Sequence, residues 1–113
     1  IERVGYLGFL TEADGKQFEI FNSQCDSAGA MISIYVKGGE KEAFAMLNKM
    51  KLVKLAVSLG STESLAQHPA TMTHADVDPE TKKKFNISPN LVRLSVGVEH
   101  YEDLIADLTQ ALD

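Results

Sequence analysis

The segment from residue 91 to residue 99 alternates apolar and polar side chains. One side carries Val92, Leu94, Val96 and Val98, and the other carries Arg93, Ser95, Gly97 and Glu99. Successive side chains of a β-strand point to opposite faces of a sheet, so this pattern predicts a strand with one buried face and one polar face. A sheet with one apolar face needs a second layer of structure on that face.

Two further segments have the composition of strands. Residues 30–36 are β-branched and apolar, and Gly38 and Gly39 then interrupt the run, which predicts a strand followed by a turn. Residues 52–57 form another apolar run and predict a second strand. The two glycines precede a helix and could cradle a phosphate, but a plain turn is the preferred interpretation because two glycines alone are a weak signal.

Two segments have the three- and four-residue spacing of amphipathic helices. The first begins at Glu40, and its apolar positions are Ala43, Phe44, Met46, Leu47 and Met50. Met46 and Met50 are therefore predicted to be core residues. The second covers residues 100–112, with Tyr101, Leu104, Ile105, Leu108, Ala111 and Leu112 on one side. This element order predicts an α+β fold, a small and mainly antiparallel sheet with helices on one face, because each helix has one apolar stripe to bury.

The chain divides into two parts after residue 28. In residues 1–28, Gly5, Gly8 and Gly15 interrupt any periodicity, and residues 16–22 could form a short helix. We treat residues 1–28 as a lead-in segment of uncertain order and residues 29–113 as the folded domain. The hydrophobic content of 44% is sufficient for a core.

A long connection, residues 58–78, separates the second strand from the next helix. Structureless loops longer than about 12–15 residues in compact domains are usually functional or disordered. The apolar residues Leu59, Leu65 and Met72 favour an ordered, functional loop, with a helical turn expected at residues 63–67 and Ser61 as its cap.

No metal site is predicted. The chain has neither a His-x-x-x-His nor a Cys-x-x-Cys spacing, so a structural or hydrogen-bonding role is preferred for His68 and His74. The single cysteine, Cys25, has no basic cluster around it and is predicted to be an inert thiol. One cysteine cannot form an internal disulfide, which favours a reducing compartment, the cytoplasm.

Charge and hydropathy argue against two classes of partner. The balance of 11 basic and 16 acidic residues gives a formal net charge of −5, which opposes binding to nucleic acid. No apolar run approaches membrane-spanning length, and no segment is typical of a secretory signal. The only basic run, three lysines at residues 82–84, follows Asp78 and Pro79 and predicts a solvent-exposed helix.

Arg93 is the best candidate for binding chemistry. It stands opposite the apolar face of a strand, where a rigid element would hold its guanidinium, and this group can bind a carboxylate through two parallel hydrogen bonds. The alternative is a surface or interface salt bridge with one of the many acids, and the strand pattern alone favours that alternative. On pattern alone, Ser58 is only a polar residue at the end of a strand.

Several short motifs together resemble a known enzyme family. The chain has Ser-Leu-Gly at residues 58–60, His-Pro-Ala at 68–70 and Met-Thr-His at 72–74, followed by Arg93 inside a valine-rich strand. From about residue 29 to residue 113 it resembles the C-terminal domain of the Cys/Met-metabolism family of pyridoxal-phosphate (PLP) enzymes, which implies the fold of the C-terminal domain of fold-type I PLP enzymes. In that family the lysine that binds PLP covalently lies upstream in a Ser-x-Thr-Lys-type motif, which these 113 residues lack. The resemblance therefore implies a fragment.

The resemblance also implies a site for the substrate carboxylate. The arginine that matches Arg93 grips the α-carboxylate of the amino-acid substrate. The serine that matches Ser58 lies near that carboxylate and the catalytic lysine, with Leu59 beside it, and Thr73 matches a threonine that supports the same pocket. No residue of this chain is assigned a catalytic role.

Val57 carries the subfamily signal. Cystathionine γ-lyases of this family typically have Glu before Ser-Leu-Gly, whereas methionine γ-lyases have Val, as here. An apolar wall suits a thioether tail, and a carboxylate suits the distal ammonium of cystathionine. Packing inside a strand is the alternative role for Val57, and the two roles are not exclusive.

The implied activity is that of a PLP-dependent carbon–sulfur lyase converting methionine to methanethiol, 2-oxobutanoate and ammonia, with this chain as its carboxylate-binding part. The implied partners are the amino-acid substrate and the N-terminal PLP domain of the same protein, within a homotetramer. The fragment alone is expected to be inactive. A cystathionine γ-lyase or O-acylhomoserine sulfhydrylase of the same family is one alternative, and a non-catalytic amino-acid-binding domain is another.

Overall fold

The computed structural model describes residues 1–113 and contains one five-stranded mixed sheet. Its strands are β1 (Arg3–Gly5), β2 (Met31–Tyr35), β3 (Lys54–Leu55), β4 (Leu65–Gln67) and β5 (Leu91–Ser95), in the spatial order β1-β2-β5-β4-β3. The β1–β2, β2–β5 and β5–β4 pairings are antiparallel, and the β3–β4 pairing is parallel. Strand β5 is therefore central, with hydrogen-bonded neighbours on both sides, and the predicted α+β fold with a mainly antiparallel sheet is confirmed.

Four α-helices accompany the sheet, namely α1 (Lys16–Gln24), α2 (Glu40–Lys49), α3 (Pro79–Lys84) and α4 (Tyr101–Leu112), with 3-10 turns at Leu7–Phe9 and Glu12–Asp14. Helices α2 and α4 pack against each other and share one core with the sheet. Helices α1 and α3 bury no residue. None of the helices combines the length and apolar character that a membrane span requires.

The core lies between the α2–α4 pair and one face of β5. Val92 and Leu94, on the apolar side predicted from the alternating pattern, are 0% and 2% exposed. The other buried members of the cluster come from neighbouring strands, both helices and loops: Ile34, Val36, Ala43, Met46, Leu47, Val53, Ala66, Leu104 and Ala111. Met46 is a core residue as predicted, and Met50 packs against the cluster partly buried. Full burial of each Val, Leu, Ile or Met side chain in this cluster stabilises the fold by roughly 1.5–3 kcal/mol.

Residues 65–67 form strand β4 and not the helical turn expected there. Leu65, Ala66 and Gln67 are buried in succession, and β4 pairs with one edge of β5 in the register Ala66 opposite Leu94. Without β4, that edge of the central strand would leave its backbone donors and acceptors unpaired. A three-residue strand that is buried on both faces shows no alternation, so its sequence pattern does not distinguish it from a helical turn.

The strand predicted at residues 52–57 contains only Lys54–Leu55. The backbone N–H groups of Leu52 and Val53 donate to the carboxylate of Asp107, at 2.8 and 2.9 Å, and not to a neighbouring strand. The strand predicted at residues 91–99 likewise ends early, at Ser95.

Helix α4 buries a narrower stripe than its composition suggests. Tyr101, Ile105 and Leu112, expected on its apolar side, are 66%, 59% and 41% exposed. The buried positions are Leu104, Asp107 and Ala111, which recur at three- and four-residue spacing and define the contact face.

Helix α3 begins as predicted. The Asp78 carboxylate accepts a hydrogen bond from the Thr81 N–H at 3.0 Å, and Pro79 takes the first helical position. The hydroxyl and the backbone N–H of Thr81 together hold the pKa of Asp78 below its ordinary value.

Residues 1–28 begin on the same sheet as the rest of the chain. Strand β1 pairs with β2, with Arg3 opposite Tyr35, and the Arg3 guanidinium lies 4.0 Å from the centroid of the Tyr35 ring. The short helix considered at residues 16–22 is present as α1 and extends to Gln24.

The buried carboxylate of Asp107 links α4 to the loop before β3. It is 6% exposed and accepts hydrogen bonds from the backbone of Lys51, Leu52 and Val53 and from the Gln110 side chain. Burial alone would raise the pKa of Asp107, but the hydrogen bonds from Val53, Lys51 and Leu52 outweigh this effect and hold the pKa below its ordinary value.

We expect Asp107→Asn to lower the free energy of unfolding by about 1–3 kcal/mol at pH 7, because an NH2 group would face backbone donors that then lack an acceptor. Urea unfolding measures the change, with the exposed Asp26→Asn as the matched control. Because the folded-state pKa is lowered, the carboxylate's contribution is full above the unfolded-state pKa of about 4 and is lost as the pH falls through the folded-state value. The difference between wild type and variant is therefore expected to shrink below pH 4, and equal stability at pH 7 would contradict this role.

Candidate functional site

Arg93 lies at the middle of the central strand, on the face of the sheet opposite the core. Its register partners are Ser33 on β2 and Gln67 on β4, so the three residues form one row across the sheet. Arg93 is partly exposed, whereas Gln67 is 1% exposed. Because β5 is hydrogen-bonded along both edges, the backbone from which the guanidinium extends is rigid.

The side-chain amide of Gln67 contacts the guanidinium of Arg93. A guanidinium has donors and no acceptor, so the amide is oriented with its oxygen toward Arg93. In this orientation Oε1 lies 2.8 Å from Nη2 and 3.0 Å from both Nε and Nη1. The same oxygen accepts a hydrogen bond from the Thr73 hydroxyl at 3.1 Å, and Thr73 Oγ1 lies 2.8 Å from His74 Nδ1.

The segment after β3 supplies two further contacts to Arg93. The Nη2 group donates to the carbonyl oxygens of Val57 and Ser58, at 3.3 and 3.4 Å. The side chains of Val57 and Leu59 are 55% and 52% exposed. Packing inside a strand, the alternative role considered for Val57, is therefore wrong, because Val57 follows the end of β3 and lies outside the core.

The structure brings four of the five predicted site residues into one cluster. Val57 and Ser58 touch Arg93 through their backbone, and Thr73 reaches it through Gln67. Leu59 is adjacent in the chain but makes no hydrogen bond to the arginine.

Hydrogen bonds to acceptors on β5 and on the residues after it hold the segment at residues 57–64 in place. The Gly60 N–H donates to Ser95 Oγ at 2.9 Å. The Ser64 N–H and hydroxyl both donate to the Glu99 carboxylate at 2.7 Å, and these bonds hold the pKa of Glu99 below its ordinary value. A Cβ at Gly97 would lie 2.3 Å from the Thr62 carbonyl oxygen, so this close approach requires glycine.

Arg93 carries a positive charge that no carboxylate of the chain neutralises. The oxygens that contact its guanidinium belong to two backbone carbonyls and an amide, all neutral. Burial alone accounts for the lowering of its pKa below the ordinary value, with no contribution from a neighbouring charge. Of the surface or interface salt bridge considered as the alternative for Arg93, the surface pair is therefore not formed within this chain.

His68 is a structural residue, as preferred from the sequence. It is fully buried, and its Nε2 lies 2.6 Å from the Pro89 carbonyl oxygen, so this nitrogen is the donor and carries the proton. Its Nδ1 then accepts from the Thr71 hydroxyl at 2.7 Å, and its ring packs edge-on against Phe44. No group of three or more His, Cys, Asp or Glu side chains is arranged to hold a metal ion.

Gln67, Ser95 and Glu99 are functional candidates that sequence reasoning missed. Ser95 and Glu99 share the polar side of the alternating segment with Arg93, and that shared side is the signal that could have identified them. Gln67 gave no such signal, because it lies in the strand that was taken for a helical turn.

Arg93 lies on an open face of the molecule. None of the four clefts in the surface is lined by it. Every lysine is exposed except Lys82, which is partly exposed and donates to the carbonyl oxygens of Ala70 and Ala75 at 2.9 and 3.3 Å. A binding site at Arg93 therefore needs walls from elsewhere.

Two lyases from different organisms are similar to this chain over its whole length. The chain is 50% identical over 113 residues to the L-methionine gamma-lyase of Fusobacterium nucleatum subsp. polymorphum, covering all of this chain and 28% of that protein. It is 44% identical over 113 residues to the cystathionine gamma-lyase of Dictyostelium discoideum, again covering all of this chain and 28% of the relative.

A solved structure is similar over almost the whole chain. The crystal structure of metB from Corynebacterium glutamicum superposes with a TM-score of 0.85 at 41% sequence identity, covering 99% of this chain and 28% of that one. The chain thus spans little more than a quarter of the length of the relatives it matches. The model of the family described as Cys/Met metabolism PLP-dependent enzyme matches residues 1–113, which extends the similarity through the first 28 residues, and the chain belongs to that family.

Proposed function

We propose that this chain is the C-terminal, substrate-carboxylate-binding part of a PLP-dependent methionine γ-lyase, which converts methionine to methanethiol, 2-oxobutanoate and ammonia. Residues 29–113 form the C-terminal domain in this proposal, and residues 1–28 lead into it. The resemblance of the Val-Ser-Leu-Gly segment at residues 57–60 to methionine γ-lyases supports the choice of substrate.

The observation that carries the proposal is the unneutralised charge of Arg93. Its guanidinium is partly desolvated, extends from a strand paired on both edges, and contacts only neutral acceptors. Such a group favours an incoming carboxylate, which can accept two parallel charge-assisted hydrogen bonds. The α-carboxylate is common to all amino-acid substrates of the family.

The chain's own residues bind and orient the substrate in this account. Arg93 holds the carboxylate, the exposed hydroxyl of Ser58 lies beside it, and Thr73 supports the arginine through Gln67. The exposed side chains of Val57 and Leu59 form an apolar wall for the thioether tail. Bound PLP supplies the electron sink for the reaction, and fixing the substrate's orientation lowers the entropic cost of reaching the transition state.

The residues of this chain fit the substrate end of a PLP site and not the covalent attachment of the cofactor. A lysine that forms a Schiff base is usually desolvated or lies beside another cation, and no lysine here is buried. We therefore assign the attachment lysine to the N-terminal PLP domain of the same protein. That domain, in a homotetramer, would cover the open face around Arg93.

The state of the single cysteine supports the cellular compartment. The only cysteine, Cys25, is exposed and free, which supports a reducing compartment, the cytoplasm.

The similarity to cystathionine γ-lyase favours cystathionine as the second candidate substrate. Val57 separates the two candidates, because an apolar wall offers no partner to the distal ammonium of cystathionine.

We expect Arg93→Lys in the full-length enzyme to reduce kcat/KM for methionine by an amount equivalent to about 2–5 kcal/mol, because lysine cannot form the bidentate pair in a desolvated site. Arg3→Lys is the matched control, since Arg3 is the only other arginine and lies on edge strand β1. Steady-state kinetics and the melting temperature of each variant give the result. An unchanged kcat/KM for Arg93→Lys would mean that Arg93 has a structural role and does not bind the substrate carboxylate.

We expect no specific attachment of PLP to the 113-residue chain by itself, because its lysines are solvated. Incubation with PLP, borohydride reduction and peptide mapping test this directly. Scattered, substoichiometric labelling is the expected result. One lysine labelled stoichiometrically would show that the chain holds its own cofactor site.

We expect Val57→Glu in the full-length enzyme to lower the ratio of kcat/KM for methionine to that for cystathionine by about tenfold or more. The new carboxylate would lie unpaired beside the thioether tail of methionine, whereas it can pair with the distal ammonium of cystathionine. Val57→Gln, of equal size without the charge, is the control. The melting temperature is expected to change little, since Val57 lies outside the core. An unchanged ratio would exclude Val57 from substrate discrimination.

A further inference from the structure

We propose that Gln67 is a positioning residue, which holds the Arg93 guanidinium from one face and leaves its in-plane donors free for the substrate carboxylate. This inference rests on the proposed function, because it concerns the same arginine. It adds a residue that neither the motifs nor the comparisons identify, and it explains why that residue is neutral.

The position of the amide oxygen follows from three distances. Gln67 Oε1 is 2.8, 3.0 and 3.0 Å from the three nitrogens of the guanidinium. The three nitrogens surround a central carbon in one plane, so a point in that plane can be close to two of them and not to the third. An atom at nearly equal distance from all three lies above the face, over the central carbon.

A contact through the face differs from an in-plane hydrogen bond. The N–H bonds lie in the guanidinium plane, so an oxygen above the face interacts with the positive charge through its dipole and does not use up an N–H group. Within the plane, only Nη2 has acceptors, the carbonyl oxygens of Val57 and Ser58. The N–H groups of Nε and Nη1 have no acceptor in the plane. Each shares an edge of the guanidinium with one N–H of Nη2, so a carboxylate on either edge pairs with one of them and with Nη2, whose bonds to the two carbonyls are long.

Gln67 is itself held by burial, by strand pairing and by one side-chain hydrogen bond. It is 1% exposed, lies directly opposite Arg93 in the β4–β5 pairing, and accepts from the Thr73 hydroxyl at 3.1 Å. Since that hydroxyl has one proton and gives it to Gln67, the proton between Thr73 and His74 belongs to His74 Nδ1, which donates at 2.8 Å. Because the Gln67 oxygen faces Arg93, Thr73 is the donor to Gln67, and His74 is the donor to Thr73.

The neutrality of Gln67 is the specific requirement. A glutamate at this position would hold the guanidinium at least as firmly, but its charge would neutralise the arginine and compete with the substrate carboxylate. An apolar side chain of similar length would leave the guanidinium without its dipole partner. The amide alone fixes the arginine and preserves its net charge.

The test uses the PLP-loaded full-length enzyme and two ligands that do not undergo γ-elimination. Norleucine replaces the sulfur of methionine by a methylene, and pentylamine is norleucine without its carboxylate. Dissociation constants for both, measured by isothermal titration calorimetry, isolate the part of the affinity that depends on the carboxylate. The variants are Gln67→Glu and Gln67→Met, with Gln17→Glu, at an exposed position in α1, as the control for the added charge.

We expect Gln67→Glu to weaken norleucine binding by about tenfold or more and Gln67→Met to weaken it by less, while pentylamine binding changes by less than about twofold in both. The melting temperatures of both variants are to be measured alongside. Parallel losses for norleucine and pentylamine, with a lower melting temperature, would mean that Gln67 only supports packing and would overturn the inference.

Arg93→Lys in the same titrations separates this inference from the proposed function. Weaker norleucine binding in Arg93→Lys together with unchanged binding in Gln67→Glu would overturn the role of Gln67 and leave the carboxylate site standing. Unchanged norleucine binding in both variants would overturn both.

Discussion

The pairing of β5 on both edges is the constraint on which the rest of this structure depends. It places one face of the strand, with Val92 and Leu94, against α2 and α4, and it fixes the origin of the Arg93 side chain on the other face between Ser33 and Gln67. A sheet that were open along either edge of β5 would lose the row that orients the guanidinium. The stability of the core and the geometry of the site therefore share one element.

The segment at residues 57–64, which approaches Arg93, has no regular secondary structure. Side-chain hydrogen bonds hold it in place instead of the backbone hydrogen bonds of a strand. Ser95 accepts from Gly60, and Glu99 accepts twice from Ser64, so the polar side of the alternating segment fixes the neighbouring loop as well as carrying the arginine. Asp107 does the same for the loop before β3. Each of these acceptors is anchored on or beside a packed element, which makes the loop geometry a property of the fold.

Much of the fold could be predicted from sequence because its signals are local. Alternation identified β5, three- and four-residue spacing identified α2, and Asp78 with Pro79 identified the start of α3. Strand β4 could not be identified in this way, since a short segment buried on both faces has no periodicity and is specified by the free edge of β5. The exposure of Tyr101 and Ile105 and the burial of Asp107 depend on which part of α4 meets its neighbours. The motifs indicated Arg93, Ser58 and Thr73. They missed Gln67, because the pairing of β4 with β5 is what brings its side chain against the arginine.

A crystal structure of the full-length PLP-loaded enzyme with bound norleucine would show whether Arg93 is held free of protein carboxylates so that it can bind the carboxylate of the substrate. We expect the norleucine carboxylate in the plane of the Arg93 guanidinium, at hydrogen-bonding distance from Nη2 and from either Nε or Nη1, with the Gln67 oxygen over the face of the group. A structure in which an Asp or Glu of another domain or subunit pairs with Arg93, and the norleucine carboxylate binds elsewhere, would contradict it.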